Sequence, residues 1–245
     1  KLGDWGPPGI YGVFAVSPNQ RQAAIQVLAG GNVDIYLADV AANAALRRFT
    51  FDPEIETSPV FSRDNTAVMF TRSGKLYQKP VNGTATEQLV LDHASALDWT
   101  HDGRQLLYWS TAGFGIWADG KSSPLALPSS SVRAQFSPDD KWIAYASTES
   151  GREEIWLQPF PLTGAKFQVS PSGGTAPRWR ADGKELYYVD GTQKLVAVPI
   201  TLGASPQWGA PNTLFDLPFS SSSATTWPYV AAPDGVSIEL IQTDA

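Results

Sequence analysis

The sequence predicts an all-β chain: a six-bladed β-propeller of four-stranded antiparallel blades. Three observations predict it. A short signature recurs six times, with its Asp or Asn marker at positions 19, 64, 102, 139, 182 and 234, so the spacings are 45, 38, 37, 43 and 52 residues, the period of a propeller or solenoid array. Each copy leads into apolar residues that alternate with period two, and no stretch combines helical periodicity with proper caps. Apolar material is ample, since 42% of the 245 residues are hydrophobic, nine of them Trp, eight Tyr and eleven Phe, while only 17% are charged. Six repeats of about 40 residues favour one closed domain over 1–245 rather than two ordinary ones.

The clearest copy is Phe136-Ser137-Pro138-Asp139-Asp140-Lys141-Trp142-Ile143-Ala144-Tyr145: an aromatic anchor, a Pro-Asp turn, a basic residue and an alternating strand. The others are Val16-Ser17-Pro18-Asn19, Phe61-Ser62-Arg63-Asp64-Asn65, Trp99-Thr100-His101-Asp102-Gly103-Arg104, Trp179-Arg180-Ala181-Asp182-Gly183-Lys184 and Ala231-Ala232-Pro233-Asp234-Gly235. Pro presets φ, Asp or Asn bonds its own backbone, and Gly supplies positive φ where the chain reverses. Behind the turn, a second strand is predicted at Thr66–Thr71, Gln105–Ser110, Trp142–Ser147, Glu185–Val189 and Ser237–Ile241. A third is predicted at Asp34–Ala38, Lys75–Lys79, Glu154–Gln158 and Leu195–Val198, and an outermost fourth at Ala45–Phe49, Glu87–Leu91 and Lys166–Val169. The alanines of Ala38–Leu46 favour helix, but about nine residues between two strands, interrupted by Asn43, read better as a hairpin loop. Thr201–Ser223 reads as a long Gly-, Pro- and Ser-rich loop, and Asn82-Gly83-Thr84 as a hairpin turn in preference to a glycosylation acceptor. The Gly- and Pro-rich segment 1–12 makes a poor strand. The last repeat supplies two strands before Ala245, so either the sixth blade is incomplete or the protein continues.

Composition excludes several function classes. A net charge of −6 without clustered Lys and Arg argues against nucleic acid. With no cysteine there is no disulfide, thiol chemistry or Cys-ligated zinc. No run of about 18 apolar residues exists to insert in a membrane. The start at Lys1 rather than Met suggests an excised domain or a processed product, which leaves room for an anchor elsewhere in the parent protein. Hydrolase elbow, phosphate-binding loop, zinc-protease and kinase motifs are all missing. The two histidines, His93 and His101, read as turn residues, and the turn aspartates as local turn formers too far apart to share an ion. No cofactor and no metal is therefore expected, nor any catalytic residue.

Phe61, Trp99, Phe136 and Trp179 read as core between blades. Function is better sought where the copies differ, on the innermost strands. Asp98, Gln135 and Arg178 stand just before the anchor and share the opposite side by strand alternation; Arg133 stands three residues before its anchor, and Trp227 just before the last inner strand. These five are the candidate ligand contacts at a channel mouth. For the charged ones the competing reading is an ion pair between blades or along the channel, and for Trp227 it is packing.

The run from Phe136 to Tyr145, followed by Glu149-Ser150-Gly151-Arg152-Glu153-Glu154-Ile155-Trp156-Leu157-Gln158-Pro159-Phe160-Pro161, resembles TolB-like propellers. More narrowly it resembles the C-terminal propellers of bacterial membrane-anchored serine/threonine kinases, with further matches at Ser58-Pro59-Val60-Phe61-Ser62, Leu76-Tyr77-Gln78-Lys79-Pro80 and Gly173 to Tyr188. Asn19-Gln20 and Asp64-Asn65 depart from the usual Asp-Gly, and the terminal strand that closes such chains is missing. The resemblance implies a six-bladed, extracytoplasmic (periplasmic or cell-surface) sensor or binding module, with no catalytic residue carried over. The expected function is non-enzymatic binding of a protein, a peptide or an envelope-derived small ligand. The alternatives are a propeller hydrolase or lyase with its chemistry in the channel, and a scaffold for a neighbouring catalytic domain.

Overall fold

In the first repeat, β1 (Ile10–Val16), β2 (Gln22–Ala29), β3 (Asn32–Asp39) and β4 (Arg47–Arg48) pair in chain order as one antiparallel sheet. The computed structural model describes residues 10–40, 46–83, 85–217, 229–231 and 238–240. The second sheet is β5 (Glu56–Phe61), β6 (Ala67–Arg72), β7 (Lys75–Pro80) and β8 (Gln88–Leu91); the third is β9 (Ser95–Trp99), β10 (Leu106–Ser110), β11 (Gly113–Ala118) and β12 (Lys121–Pro124). These three lie in one compact unit of the chain, 1–124. The second unit, 125–240, carries the sheet of β13 (Ser131–Phe136), β14 (Trp142–Ser147), β15 (Glu154–Pro159) and β16 (Phe167–Gln168). Its other large sheet holds β17 (Thr175–Trp179), β18 (Glu185–Val189), β19 (Lys194–Thr201), β20 (Gln207–Trp208) and β21 (Asn212–Asp216), and β22 (Tyr229–Ala231) pairs with β23 (Ile238–Leu240).

Among the described residues the chain thus forms five four-stranded antiparallel blades, one of them extended by a fifth strand, where six were expected. The signature explains the difference. Its turn joins only the first two strands of a repeat, so counting signatures counts hairpins. The sixth copy yields its hairpin, β22–β23, and no third strand among the described residues.

Four of the turns are built by the same bonds. Ser17, Ser62, Thr100 and Ser137 donate their hydroxyls to the Asp or Asn two residues on at 2.6–2.8 Å. Those side chains accept a backbone N–H two residues further, at 3.0 Å for Arg21, Thr66 and Arg104 and 3.2 Å for Lys141. The Ser62 bond, ahead of those from Thr66, holds the Asp64 carboxyl below its ordinary range. The next residue is left-handed whether or not it is glycine: φ is 58° at Gln20, 63° at Asn65, 72° at Gly103, 58° at Asp140 and 70° at Gly183.

Within each unit the cores lie between successive sheets, as the anchors required. Phe61 packs with Ala24, Ile35, Leu37 and Phe49; Trp99 with Met69 and Leu76; Trp179 with Trp142, Ala144, Ile155 and Leu157. The second strands β6 and β14 are enclosed on both faces, all six residues of each being buried, whereas the rim strands β12 and β21 are exposed throughout. Of Thr201–Ser223, expected as loop, the described part 201–217 supplies β20 and β21, which cover successive halves of the outer edge of β19, and the remainder lies outside the described residues. Asn82-Gly83 is a turn, with Gly83 N–H donating to Pro80 O at 3.0 Å.

Candidate functional site

The inner strand of each of the five blades contains one extra residue, whereas β22 pairs with β23 without one. Opposite the two-residue step Ala146 to Ala144 on β14, β13 runs three residues from Val132 to Gln135, and the same surplus occurs in β1, β5, β9 and β17. Such a bulge bends the strand and re-aims a side chain. In three copies the bulge holds a left-handed residue: Ser58 (φ 54°), Arg133 (φ 50°) and Ala176 (φ 54°). Backbone geometry recurs there while the side chain varies.

Arg133 is 4% exposed. Its Nη1 donates to Thr175 Oγ1 on the neighbouring inner strand and faces Glu153 Oε1 at 3.5 Å, and Thr175 donates to the same carboxylate oxygen at 2.8 Å. Burial lowers the pKa of the guanidinium below its ordinary value, with Glu153 opposing. Glu153 keeps 37% of its side chain exposed, so this chain of bonds runs from a buried cation to solvent. Behind it lies Tyr229 of β22, fully buried, whose hydroxyl donates to Ala176 O at 2.8 Å. Burial raises its pKa well above the ordinary phenol value, while Arg178 and then Arg133 favour its ionised form. Two guanidinium groups from adjacent inner strands therefore act on one buried hydroxyl.

The remaining candidates lie elsewhere. Gln135 Oε1 accepts the Trp179 N–H at 3.2 Å and ties β13 to β17. Although only two residues separate it from Arg133, the bulge parts their directions. Asp98, in the other unit, pairs with Arg63 Nη2 at 3.4 Å, and Arg63 also donates to Trp99 O at 2.9 Å, joining the second and third blades. Trp227 lies outside the described residues. Thr175, Glu153 and Tyr229 were not singled out from the sequence; the Glu153-Glu154 doublet at a strand entry was the one available signal. His93 and His101 are exposed in turns, and among the described residues no group of three or more His, Asp or Glu is placed to hold a metal.

No family model matches the chain, and no curated protein matches it. Solved structures do. The putative TolB from Agrobacterium tumefaciens is similar over 96% of this chain and 92% of its own, with a TM-score of 0.69 and 18% identity. TolB from Acinetobacter baumannii gives 0.66 and 15% over 96% of this chain, which spans 58% of that longer one. The oligogalacturonate lyase of Vibrio parahaemolyticus gives 0.67 and 12% over 97% of this chain and 73% of its own. At these identities the likeness shows the fold alone, a TolB-like β-propeller fold. Among the described residues no helix is long and apolar enough to cross a membrane, which says nothing of strands crossing one as a barrel.

Proposed function

We propose that this chain is a non-enzymatic binding propeller that captures a carboxylate-bearing ligand, a protein or peptide segment or an envelope-derived small molecule, at the Arg133–Arg178 cluster. One observation supports the reading: in a chain of net charge −6, two arginines on neighbouring inner strands, Arg133 and Arg178, both act electrostatically on the buried Tyr229 hydroxyl. Positive charge on neighbouring inner strands of an acidic chain favours a ligand of opposite charge there. Arg178, half-buried, is the contact residue; Arg133, held by Thr175 and Glu153, sets the field behind it. An extracytoplasmic setting, and service as the sensing part of a membrane-anchored kinase, belong to the same proposal. The likeness to the two TolB structures supports the first, and the sequence resemblance alone the second.

The test is capture from the native host's envelope fraction on the immobilised chain, with Arg178→Ala and Arg178→Lys alongside. Loss of one desolvated charge pair should cut affinity by about tenfold or more, ~1.4 kcal/mol, in Arg178→Ala, with partial recovery in Arg178→Lys. Equal capture by wild type and Arg178→Ala would remove this site from consideration.

A further inference from the structure

In the first unit a second charged cluster plays no part in that site. Glu56, at the start of β5, is fully buried, and its Oε2 has no hydrogen-bond partner. Its Oε1 lies 3.1 Å from Arg72 Nη1, which also meets Glu87 Oε2 at 2.7 Å and Asp52 Oδ2 at 3.0 Å. Three carboxylates thus converge on one nitrogen of one guanidinium. The surroundings complete the account: Asp34 on β3 pairs with Arg48 on β4 at 2.8 Å, Lys79 on β7 with Glu87 at 3.3 Å, and the Arg72 guanidinium lies 4.2 Å from the centre of the Tyr77 ring. Tyr36 on β3 faces Arg48, and the Thr50 hydroxyl faces Glu56.

Counting charges decides the state of Glu56. With its carboxyl neutral, Asp34, Asp52 and Glu87 balance Arg48, Arg72 and Lys79 one for one. With it ionised, the cluster holds one unbalanced negative charge in a buried place, which is costly. The least costly relief is to return the best-solvated acid to water. That acid is Asp52, 35% exposed against 19% for Glu87 and 2% for Asp34. Asp52 sits in the connection between the first two blades, Phe51-Asp52-Pro53-Glu54-Ile55, whose Phe51 and Ile55 are 64% and 59% exposed. Besides Arg72, Asn32 Nδ2 donates to Asp52 O at 2.7 Å and the Ser73 hydroxyl to Glu54.

We propose that Glu56 is a proton-operated latch on the 51–55 connection: neutral, it leaves Asp52 paired with Arg72, and ionised, it displaces Asp52 and loosens the segment that presents Phe51 and Ile55. The same environment sets the working range near neutrality. Burial first, then the like charges of Glu87 and Asp34, push the Glu56 pKa up to about 7 against the opposing Thr50 hydroxyl and Arg72.

Hydrogen exchange of the intact chain tests this, with rates corrected for intrinsic pH dependence. Protection of the Phe51, Asp52, Glu54 and Ile55 amides should fall in wild type by up to about tenfold per pH unit above neutrality. It should stay high and flat in Glu56→Gln, and low and flat in Asp52→Asn. Constant protection in wild type, or an unchanged pH dependence in Glu56→Gln, overturns the latch. If Glu56→Gln does not fold, the wild-type Glu56 carboxyl carbon is titrated by NMR. A midpoint near neutrality, shared by the Asp52 amide, supports the latch; a midpoint in the ordinary carboxylate range overturns it.

Discussion

Arg133 carries its charge on a left-handed backbone, φ 50°, where an L side chain costs ~1–2 kcal/mol. Its bonds to Thr175 and Glu153 offset that cost. Arg133→Ala keeps the strain and loses the bonds, whereas Arg133→Gly loses both. Urea unfolding should therefore find the Gly variant more stable than the Ala variant by roughly 0.5–1 kcal/mol, after the greater chain entropy of glycine is allowed for. The reverse order would mean that the bulge is not strained. Glu56 makes a second residue-scale prediction, whose sign follows from which state binds the proton. The folded chain holds that proton up to about pH 7 and the unfolded chain only to its ordinary 4.5, so stability from this group is full below 4.5 and is lost as pH rises towards 7. Replacement by Gln should flatten that part of the stability curve, removing a fall of roughly 3 kcal/mol. A curve parallel to wild type would show that Glu56 is ionised in the fold.

Among the elements, the hairpins show how local chemistry fixes structure. Gln20 occupies the left-handed turn position taken by Gly103 and Gly183 in sister copies, so Gln20→Gly should raise stability by ~0.5–1 kcal/mol in thermal melts. On β11, Gly115 lies opposite Tyr108, and a Cβ there would meet the phenol ring at 2.3 Å. Gly115→Ala should cost about 1–3 kcal/mol, and a neutral outcome would show that Tyr108 swings away freely. The legible elements were those with a mechanism in the sequence. Trp142–Ser147 and Glu185–Val189 occur with the predicted bounds because turn chemistry and enclosure on both faces leave a dense apolar pattern. Outer strands were harder: Ala45–Phe49 shrinks to Arg47–Arg48, and β21 escaped notice, because exposed strands need no alternation. The bulges were invisible, since Ser58, Arg133 and Ala176 bear no mark of positive φ. A repeated pairing also came from structure alone: the N–H of Ile35 donates to Thr50 Oγ1 at 2.9 Å and that of Ile155 to Ser170 Oγ at 2.8 Å, each beside a buried acid, Asp34 or Glu154.

For the molecule as a whole, fold was read far better than function. Repeat spacing gave the propeller because blade formation is written in every copy, but it gave one blade too many because the signature marks a hairpin. Of the residues read from the sequence, Arg133 and Arg178 stand on neighbouring inner strands and both act electrostatically on Tyr229, while Asp98 and Gln135 join blades. Local periodicity cannot show which of two polar residues turns towards a neighbour. Overall charge adds a prediction of its own. A chain of net charge −6 repels an anionic ligand at long range and attracts it only near its cations, so added salt should first relieve the repulsion and then weaken the contact. Capture should pass through a maximum as ionic strength rises, and a monotonic gain would point to apolar recognition. The recurring inner-strand bulge has a practical consequence. Because the bulge backbone carries Ser, Arg or Ala alike, half-buried position 58 is a ready-made socket into which a new reactive or recognition group can be grafted without redesigning the blade that holds it.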